Sequence, residues 1–269
     1  TVNLNTGAAT LIGPIGDDGD TIRDIAIAPR IELIYAVTAS NKLISFVSTA
    51  PGVILSTATI NNLPAGEQIN GLDFRPANGK LYALSSSSRI YTIDPLTGIA
   101  SLVGSGPTNP PVNGSGVGFD FNPVPDRIRV VSSAGQNLRF NPDSGATAAT
   151  DGPLTFDAAD AQAGRTPSLV AAAYNNNFAG TTSTTLYTID SGSDTLVRQG
   201  SPGGTPISPN TGTLFTIGAL GVDVGDAAGF DIADMSNNAY ASLTVAGVSQ
   251  LRTINLLTGA ASLIGPIGG

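Results

Sequence analysis

The chain has 269 residues and a formal charge of −8, with 33 glycines and no cysteine, histidine or tryptophan. The absence of cysteine excludes disulfides and thiolate sites, and the absence of histidine excludes the Ser-His-Asp and Cys-His hydrolases. A net negative surface repels phosphate backbones, so we do not expect a nucleic-acid partner. No segment reaches the roughly 18 apolar residues of a membrane-spanning helix.

The composition also indicates where the protein works. Charged residues make up only 12% of the chain, which is typical of inert extracellular structural proteins. The chain opens at Thr1 without a methionine or an apolar leader, so we expect an exported protein whose signal peptide has been removed. The predicted localisation is extracellular or at the cell surface.

The first predicted element is a strand pair over residues 1–16, which the other end of the chain duplicates. Residues 253–268 repeat this segment with differences only at positions 2, 5 and 10. We interpret residues 1–16 as a candidate exchange arm and residues 17–269 as a separate folded domain. The apolar residues that would carry an exchange between molecules are Leu4, Leu11, Ile12, Ile15, Leu256, Leu263, Ile264 and Ile267.

Two acidic clusters lie on loops that also contain glycine. The first comprises Asp17, Asp18 and Asp20, and the second comprises Asp223 and Asp226. Closely spaced carboxylates on such loops suit calcium, which binds six to eight oxygens. Neither cluster has the spacing of an EF-hand loop, so solvated loop acids are the simpler interpretation and calcium is the alternative.

One strand motif recurs along the chain, with three copies that begin with glycine and two looser copies that begin with Asp24 and Leu169. It occurs at residues 24–29, 71–76, 118–123, 169–174 and 229–234. The prolines that close the first three copies are 47 residues apart. A short second strand follows each copy, so each motif is expected to begin one repeating unit.

A turn motif, Asn or Asp followed within four residues by Gly, separates the later strands of each unit. Clear copies are residues 3–7, 94–98, 141–145 and 255–259. Many short strands with frequent turns predict an all-β fold, and a four-stranded unit of this length predicts a β-propeller. We count about five blades. Six remains open because residues 214–217 form an extra apolar run.

Asp73, Asp120 and Asp231 occupy the same position in three copies of the strand motif. Both faces of an innermost propeller strand are covered, so a carboxylate there should be paired or hydrogen-bonded. Arg127, Arg129 and Arg139 are candidate partners for Asp120. We therefore predict a structural role for the three blade acids and no catalytic residue.

The duplicated ends leave six outer strand pairs for five inner-strand motifs. One interpretation is ring closure after a duplication, or a short flap on the first blade. Another is strand exchange, in which one end completes a blade of a neighbouring molecule and builds a head-to-tail filament. A third is one module of a tandem array. The sequence does not indicate which end would be donated.

Residues 65–235 resemble a bacterial family of exported propellers that carry a domain of unknown function. The resemblance depends mainly on residues 118–123, 126–131 and 136–142, which read GFDFNP, DRIRVV and QNLRFNP, and on 173–180 and 220–223. It implies a propeller and export, and it transfers no catalytic residues.

The leading functional hypothesis is a non-enzymatic extracellular structural protein that polymerises with itself. One alternative is a monomeric secreted module that binds a glycan or protein. The other is a carboxylate-dependent glycosidase or lyase, although Glu32 and Glu67 lie in no recognisable motif. Calcium is the single cofactor considered.

Overall fold

A computed structural model describes Ala9 and residues 31–268. Ile31–Gly269 forms one compact unit. Its described part contains five sheets arranged as a β-propeller, which confirms the predicted fold class. Helical structure there is limited to two short 3-10 turns, Pro202–Gly204 and Pro209–Thr211, and no helix among these residues is long and apolar enough to cross a membrane.

Each sheet is one blade, and its strands follow one another in chain order from the axis outward. Blade 1 contains β1 (Leu33–Val37), β2 (Lys42–Val47) and β3 (Ser56–Thr59). Blade 2 contains β4 (Ile69–Phe74), β5 (Leu81–Ser85), β6 (Ile90–Ile93) and β7 (Ala100–Val103). Blade 3 contains β8 (Val117–Asn122), β9 (Arg127–Ser132), β10 (Asn137–Phe140) and β11 (Thr147–Thr150). Blade 4 contains β13 (Leu169–Tyr174), β14 (Leu186–Asp190), β15 (Thr195–Gln199) and β16 (Thr213–Ala219), with β12 (Thr155–Phe156) added parallel to β16. Blade 5 contains β17 (Ala228–Ile232), β18 (Ala239–Val245), β19 (Val248–Ile254) and β20 (Ala261–Pro266).

The blade number is therefore five. The apolar run at residues 214–217 lies within β16, the outermost strand of the blade 4 meander, and does not begin a sixth blade. Blade 1 has three described strands, and the motif at residues 24–29 lies outside the described residues.

The core lies between neighbouring blades, because each sheet covers the face of the next. Every residue of β13 is buried, as expected for a strand covered on both faces. Between blades 2 and 3, the ring of Tyr82 meets the ring of Phe121 edge to face, with centroids 5.2 Å apart. Such aromatic pairs add about 0.5–1.5 kcal/mol beyond their buried area.

Glycine allows the innermost strands to approach closely. A Cβ added to Gly118 on β8 would lie 2.7 Å from the backbone of Ala171 and Ala172 on β13. A Cβ on Gly71 of β4 would lie 2.6 Å from the Cβ of Phe119. In blades 2 and 3, the glycine of the strand motif therefore sets the distance to the inner strand of the next blade.

We expect Gly118→Ala to destabilise the fold by about 1–3 kcal/mol, because the added methyl group meets backbone that cannot move aside. Gly106→Ala is the control, since no described atom lies within 4 Å of the added carbon. Urea denaturation gives both values. Equal stability of the two variants would contradict the close approach.

Polar contacts of two buried arginines, Arg75 and Arg129, join blade to blade. Arg129 on β9 donates to Asp151 at 2.6 Å within blade 3 and to Asn210 at 2.5 Å in blade 4. Arg139 donates to the same Asp151 carboxylate at 2.7 Å. In blade 2, Arg75 donates to Asp143 in blade 3 at 2.5 Å.

Asp151→Ala should lower the free energy of unfolding by about 3 kcal/mol, because removing one partner leaves the buried Arg129 charge uncompensated. The estimate is at the low end of the usual range since Arg129 keeps its bond to Asn210. Asp143→Ala is the matched control. Its carboxylate is largely exposed, so little change is expected. A similar loss for both variants would contradict the assignment.

The ion pairs of Asp151 with Arg129 and Arg139 also predict how the stability of the fold changes at acid pH. Burial alone would raise the pKa of Asp151, but hydrogen bonding from Arg139 and the charge of Arg129 outweigh it and hold the pKa below the usual 3.8. The stabilisation is therefore complete above pH 3.8 and is lost as the pH falls through the folded-state pKa. The stability difference between wild type and Asp151→Ala should shrink below about pH 4. A difference that stays constant down to pH 2 would argue against this ion pair.

Candidate functional site

Three carboxylates converge between the inner strands. Asp73 on β4, Asp120 on β8 and Asp231 on β17 occupy equivalent positions, and one oxygen of each lies within 4.8 Å of the others. Asp73 and Asp120 are buried, whereas Asp231 is exposed to solvent. We call these three residues the axial acids.

Backbone amides fix the orientation of the axial acids. Asp73 accepts from the Phe121 N–H at 2.8 Å, and Asp120 accepts from the Tyr174 N–H at 3.1 Å. In each case the donor belongs to the inner strand of the next blade. Asp231 accepts at 2.7 Å from the N–H of Ile232 on its own strand. Hydrogen bonds between blades therefore fix the orientation of the Asp73 and Asp120 carboxylates.

The axial acids repel one another in a poorly hydrated space. Burial, followed by repulsion from Asp231, raises the pKa of Asp73 well above its usual value. Burial, followed by repulsion from Asp73 and Asp231, does the same to the pKa of Asp120. Although part of Asp231 is exposed to solvent, desolvation of its carboxyl group by the surrounding protein raises the pKa. Each folded carboxylate therefore holds its proton more strongly than an unfolded one.

The expected pairing of Asp120 with arginine is wrong. Arg129 and Arg139 pair with Asp151, and Arg127 donates to the backbone carbonyl of Asp126 at 2.8 Å. In the described part of the chain, no ion pair involves an axial acid. The axial acids thus lack the positive partner that buried carboxylates usually have.

Sequence reasoning missed Asn177, which lies beside the axial acids. Its side chain is 8% exposed and lies against the Asp73 carboxyl group, whose pKa it lowers against the effect of burial. Its oxygen Oδ1 is buried and has no hydrogen-bond partner among the described residues. The residue follows β13 in a stretch included in the family resemblance, but only folding brings it to Asp73, 104 positions away in the numbering.

The acidic loop clusters have a different environment. Asp226 is exposed and accepts hydrogen bonds from the hydroxyls of Ser115 and Ser191. Among the described residues, the axial acids are the only three carboxylates close enough to share a cation, so Asp223 and Asp226 gain no third carboxylate there. Asp17, Asp18 and Asp20 lie outside the described residues.

Both glutamates have structural contacts. Glu67 accepts from Ser85, Ser87 and Tyr91 in its own blade. Glu32, before β1, accepts from the Ser236 hydroxyl at 2.8 Å and the Tyr240 hydroxyl at 3.1 Å. Glu32 therefore links blade 1 to blade 5.

The duplicated C-terminal segment lies in blade 5 of its own chain. Residues 253–268 supply the last two residues of β19, a turn and the outermost strand β20. The segment is thus the turn end of the β19–β20 hairpin, with the whole of β20 and the last two residues of β19. Leu256, Ile264 and Ile267 are partly buried, and Leu263 is 55% exposed. Leu4, Leu11, Ile12 and Ile15 lie outside the described residues.

The turn of this segment is fitted closely to its surroundings. Asn255 Oδ1 accepts from the backbone N–H of Leu257 at 2.9 Å. Gly259 has a φ of 82°, and an added Cβ would lie 2.3 Å from the carbonyl oxygen of Gly218 on β16. The N–H of Ala261 donates to the carbonyl of Leu220 at 3.0 Å. We call this environment of residues 253–268 the terminal-strand site.

The fold and these contacts define a five-bladed β-propeller with a cluster of carboxylates between its inner strands. The chain belongs to the family described as "Domain of unknown function (DUF4394)", whose model matches residues 42–269. No curated protein matches it.

The chain is also similar to solved structures. A protein of unknown function from Bacteroides thetaiotaomicron is 15% identical, with a TM-score of 0.50, and the match covers 91% of this chain and 60% of that chain. A structure titled as a nidogen/laminin complex is 12% identical over 70% of this chain and 61% of that chain, with a TM-score of 0.44. This chain thus spans less than two thirds of either matched chain, and the likeness to the Bacteroides thetaiotaomicron protein shows the fold alone.

Proposed function

We propose that this propeller is a non-enzymatic extracellular structural protein that assembles head to tail by exchange of its terminal strands. In this assembly, residues 1–16 of one copy occupy the terminal-strand site of the next copy and replace residues 253–268. The observation that carries the proposal is the near identity of the two segments at every position where the terminal-strand site makes a specific contact.

The residues that fit the site are shared by the two segments. Asn255, Leu256, Gly259 and Ala261 correspond to identical residues in the N-terminal copy, namely Asn3, Leu4, Gly7 and Ala9. The side-chain hydrogen bond of the turn, the tight glycine and the Ala261 backbone contact can therefore all be reproduced by residues 1–16.

The three differences fall where the site tolerates them. Leu257 is 89% exposed and corresponds to Asn5. Ser262 is exposed and corresponds to Thr10. Ile254 is buried and corresponds to Val2, a loss of one methylene that costs about 0.5–1.5 kcal/mol. The N-terminal copy is thus a close substitute for the resident segment.

Exchange has a simple energetic consequence. One segment leaves the site for each one that enters, so strand pairing alone gives almost no net free energy. Assembly must then gain its free energy from contacts between copies, and it must overcome the entropy lost on association. Because donor and acceptor surfaces differ, the contact is heterologous and produces a ring or an open filament.

The axial acids support a non-catalytic role. A glycosidase needs two carboxyl groups that both flank the scissile bond of a bound sugar. Asp73 and Asp120 are buried, so every pair of axial acids includes a carboxyl group that a sugar does not reach. The low share of charged residues supports an extracellular location.

Assembly is tested with Gly7→Val. A valine at this position would collide with the Gly218 carbonyl of the acceptor and would not adopt the positive φ, so filaments should disappear. Asn5→Leu is the matched control, because Leu257 occupies the equivalent exposed position. Sedimentation velocity and negative-stain electron microscopy measure assembly across a concentration series.

Deleting residues 1–16 should leave folded monomers, and wild-type filaments should shorten on dilution because exchange is reversible. A wild-type protein that stays monomeric at all concentrations would contradict the proposal. Filaments that persist after both Gly7→Val and the deletion would also contradict it.

A further inference from the structure

The axial acids and Asn177 form a cluster of oxygen ligands that the proposed assembly does not use. Three carboxylates from three different blades meet within 4.8 Å, and no ion pair of the described chain compensates them. A side-chain amide lies against one of them. The cluster contains no nitrogen or sulfur ligand.

Asn177 gives independent evidence for a ligand. A buried amide normally satisfies both its donor and its acceptor, yet Asn177 Oδ1 has no partner among the described residues. The side chain is more than nine-tenths buried, and its amide is held at Asp73. This unpartnered oxygen belongs to the same amide group that lies against Asp73, so it lies beside the axial acids.

We propose that Asp73, Asp120, Asp231 and the Asn177 amide oxygen bind one calcium ion between the inner strands. The geometry suits this ion. Calcium binds oxygens at 2.3–2.6 Å, so two ligands on opposite sides of it lie about 4.8 Å apart. Magnesium usually keeps several waters and is held by one or two carboxylates, whereas three carboxylates converge here. Water or a second oxygen of a carboxylate completes the six to eight ligands that calcium requires.

The surrounding structure fits this assignment. The N–H groups of Phe121, Tyr174 and Ile232 each hold one carboxylate oxygen, which is the outer support that well-ordered metal ligands need. Asp231 is exposed, so the ion has a path from solvent. At the equivalent position of blade 4, Ala173 on β13 offers no ligand, so the ligands come from blades 2, 3 and 5 together with Asn177.

The test uses the full chain, freed of metal with a chelator and then titrated with CaCl₂. Calorimetry should give one calcium ion per chain, and the melting temperature should rise by several degrees, because a ligand bound only to the native state stabilises it. Asp120→Asn should abolish binding, and Asn177→Leu should weaken it at least tenfold. The double variant Asp223→Asn/Asp226→Asn is the matched control and should bind like wild type.

A second measurement separates lost binding from lost folding. Without calcium, the Asp120→Asn variant should have a higher melting temperature than wild type, because the substitution removes a buried carboxylate that Asp73 and Asp231 repel. With millimolar calcium, wild type should have the higher melting temperature. A wild type that binds no calcium at millimolar concentration overturns the proposal. Binding that survives Asp120→Asn, or that disappears in the loop double variant, also overturns it. These measurements do not depend on filament formation.

Discussion

The close approach of the inner strands is the constraint on which the rest of the structure depends. At Gly118, β8 lies so near β13 that a single methyl group would enter the neighbouring backbone. Strands this close can share hydrogen bonds across the blade boundary, as the Tyr174 amide does with Asp120. Gly71 and Gly118, which lie two positions before Asp73 and Asp120, therefore also bring these two acids close to the neighbouring inner strands.

Much of this fold could be predicted from the sequence. The strand motif and the Asx-Gly turns gave the blade boundaries, because the constraints they report are local to a few residues. The blade number was less certain because the apolar run at 214–217 resembles a new strand pair. Its actual place in β16 depends on pairing with β15 and on the added parallel strand β12, and neither is a local property.

The site was harder to predict. Equivalence of Asp73, Asp120 and Asp231 was visible from their shared position, but their convergence depends on ring closure. Arginine pairing was a reasonable expectation for Asp120, yet Arg129 has its guanidinium at Asp151 and Asn210 instead. Asn177 had no signal of its own, since an asparagine after a strand usually indicates only a turn.

The two proposals concern opposite edges of a blade, and this separation makes them compatible. The terminal-strand site involves β20 and the turn before it, which are the outermost parts of blade 5, whereas the axial acids lie on the innermost strands. Replacing residues 253–268 leaves the hydrogen bonds of Asp73 and Asp120 unchanged, because their donors are in blades 3 and 4. A calcium ion between the inner strands would join blades 2, 3 and 5 independently of the outer strands. Blade 5 would then keep its position in the ring while its outermost strand exchanges, which is the condition for a propeller to pass a strand to its neighbour without unfolding.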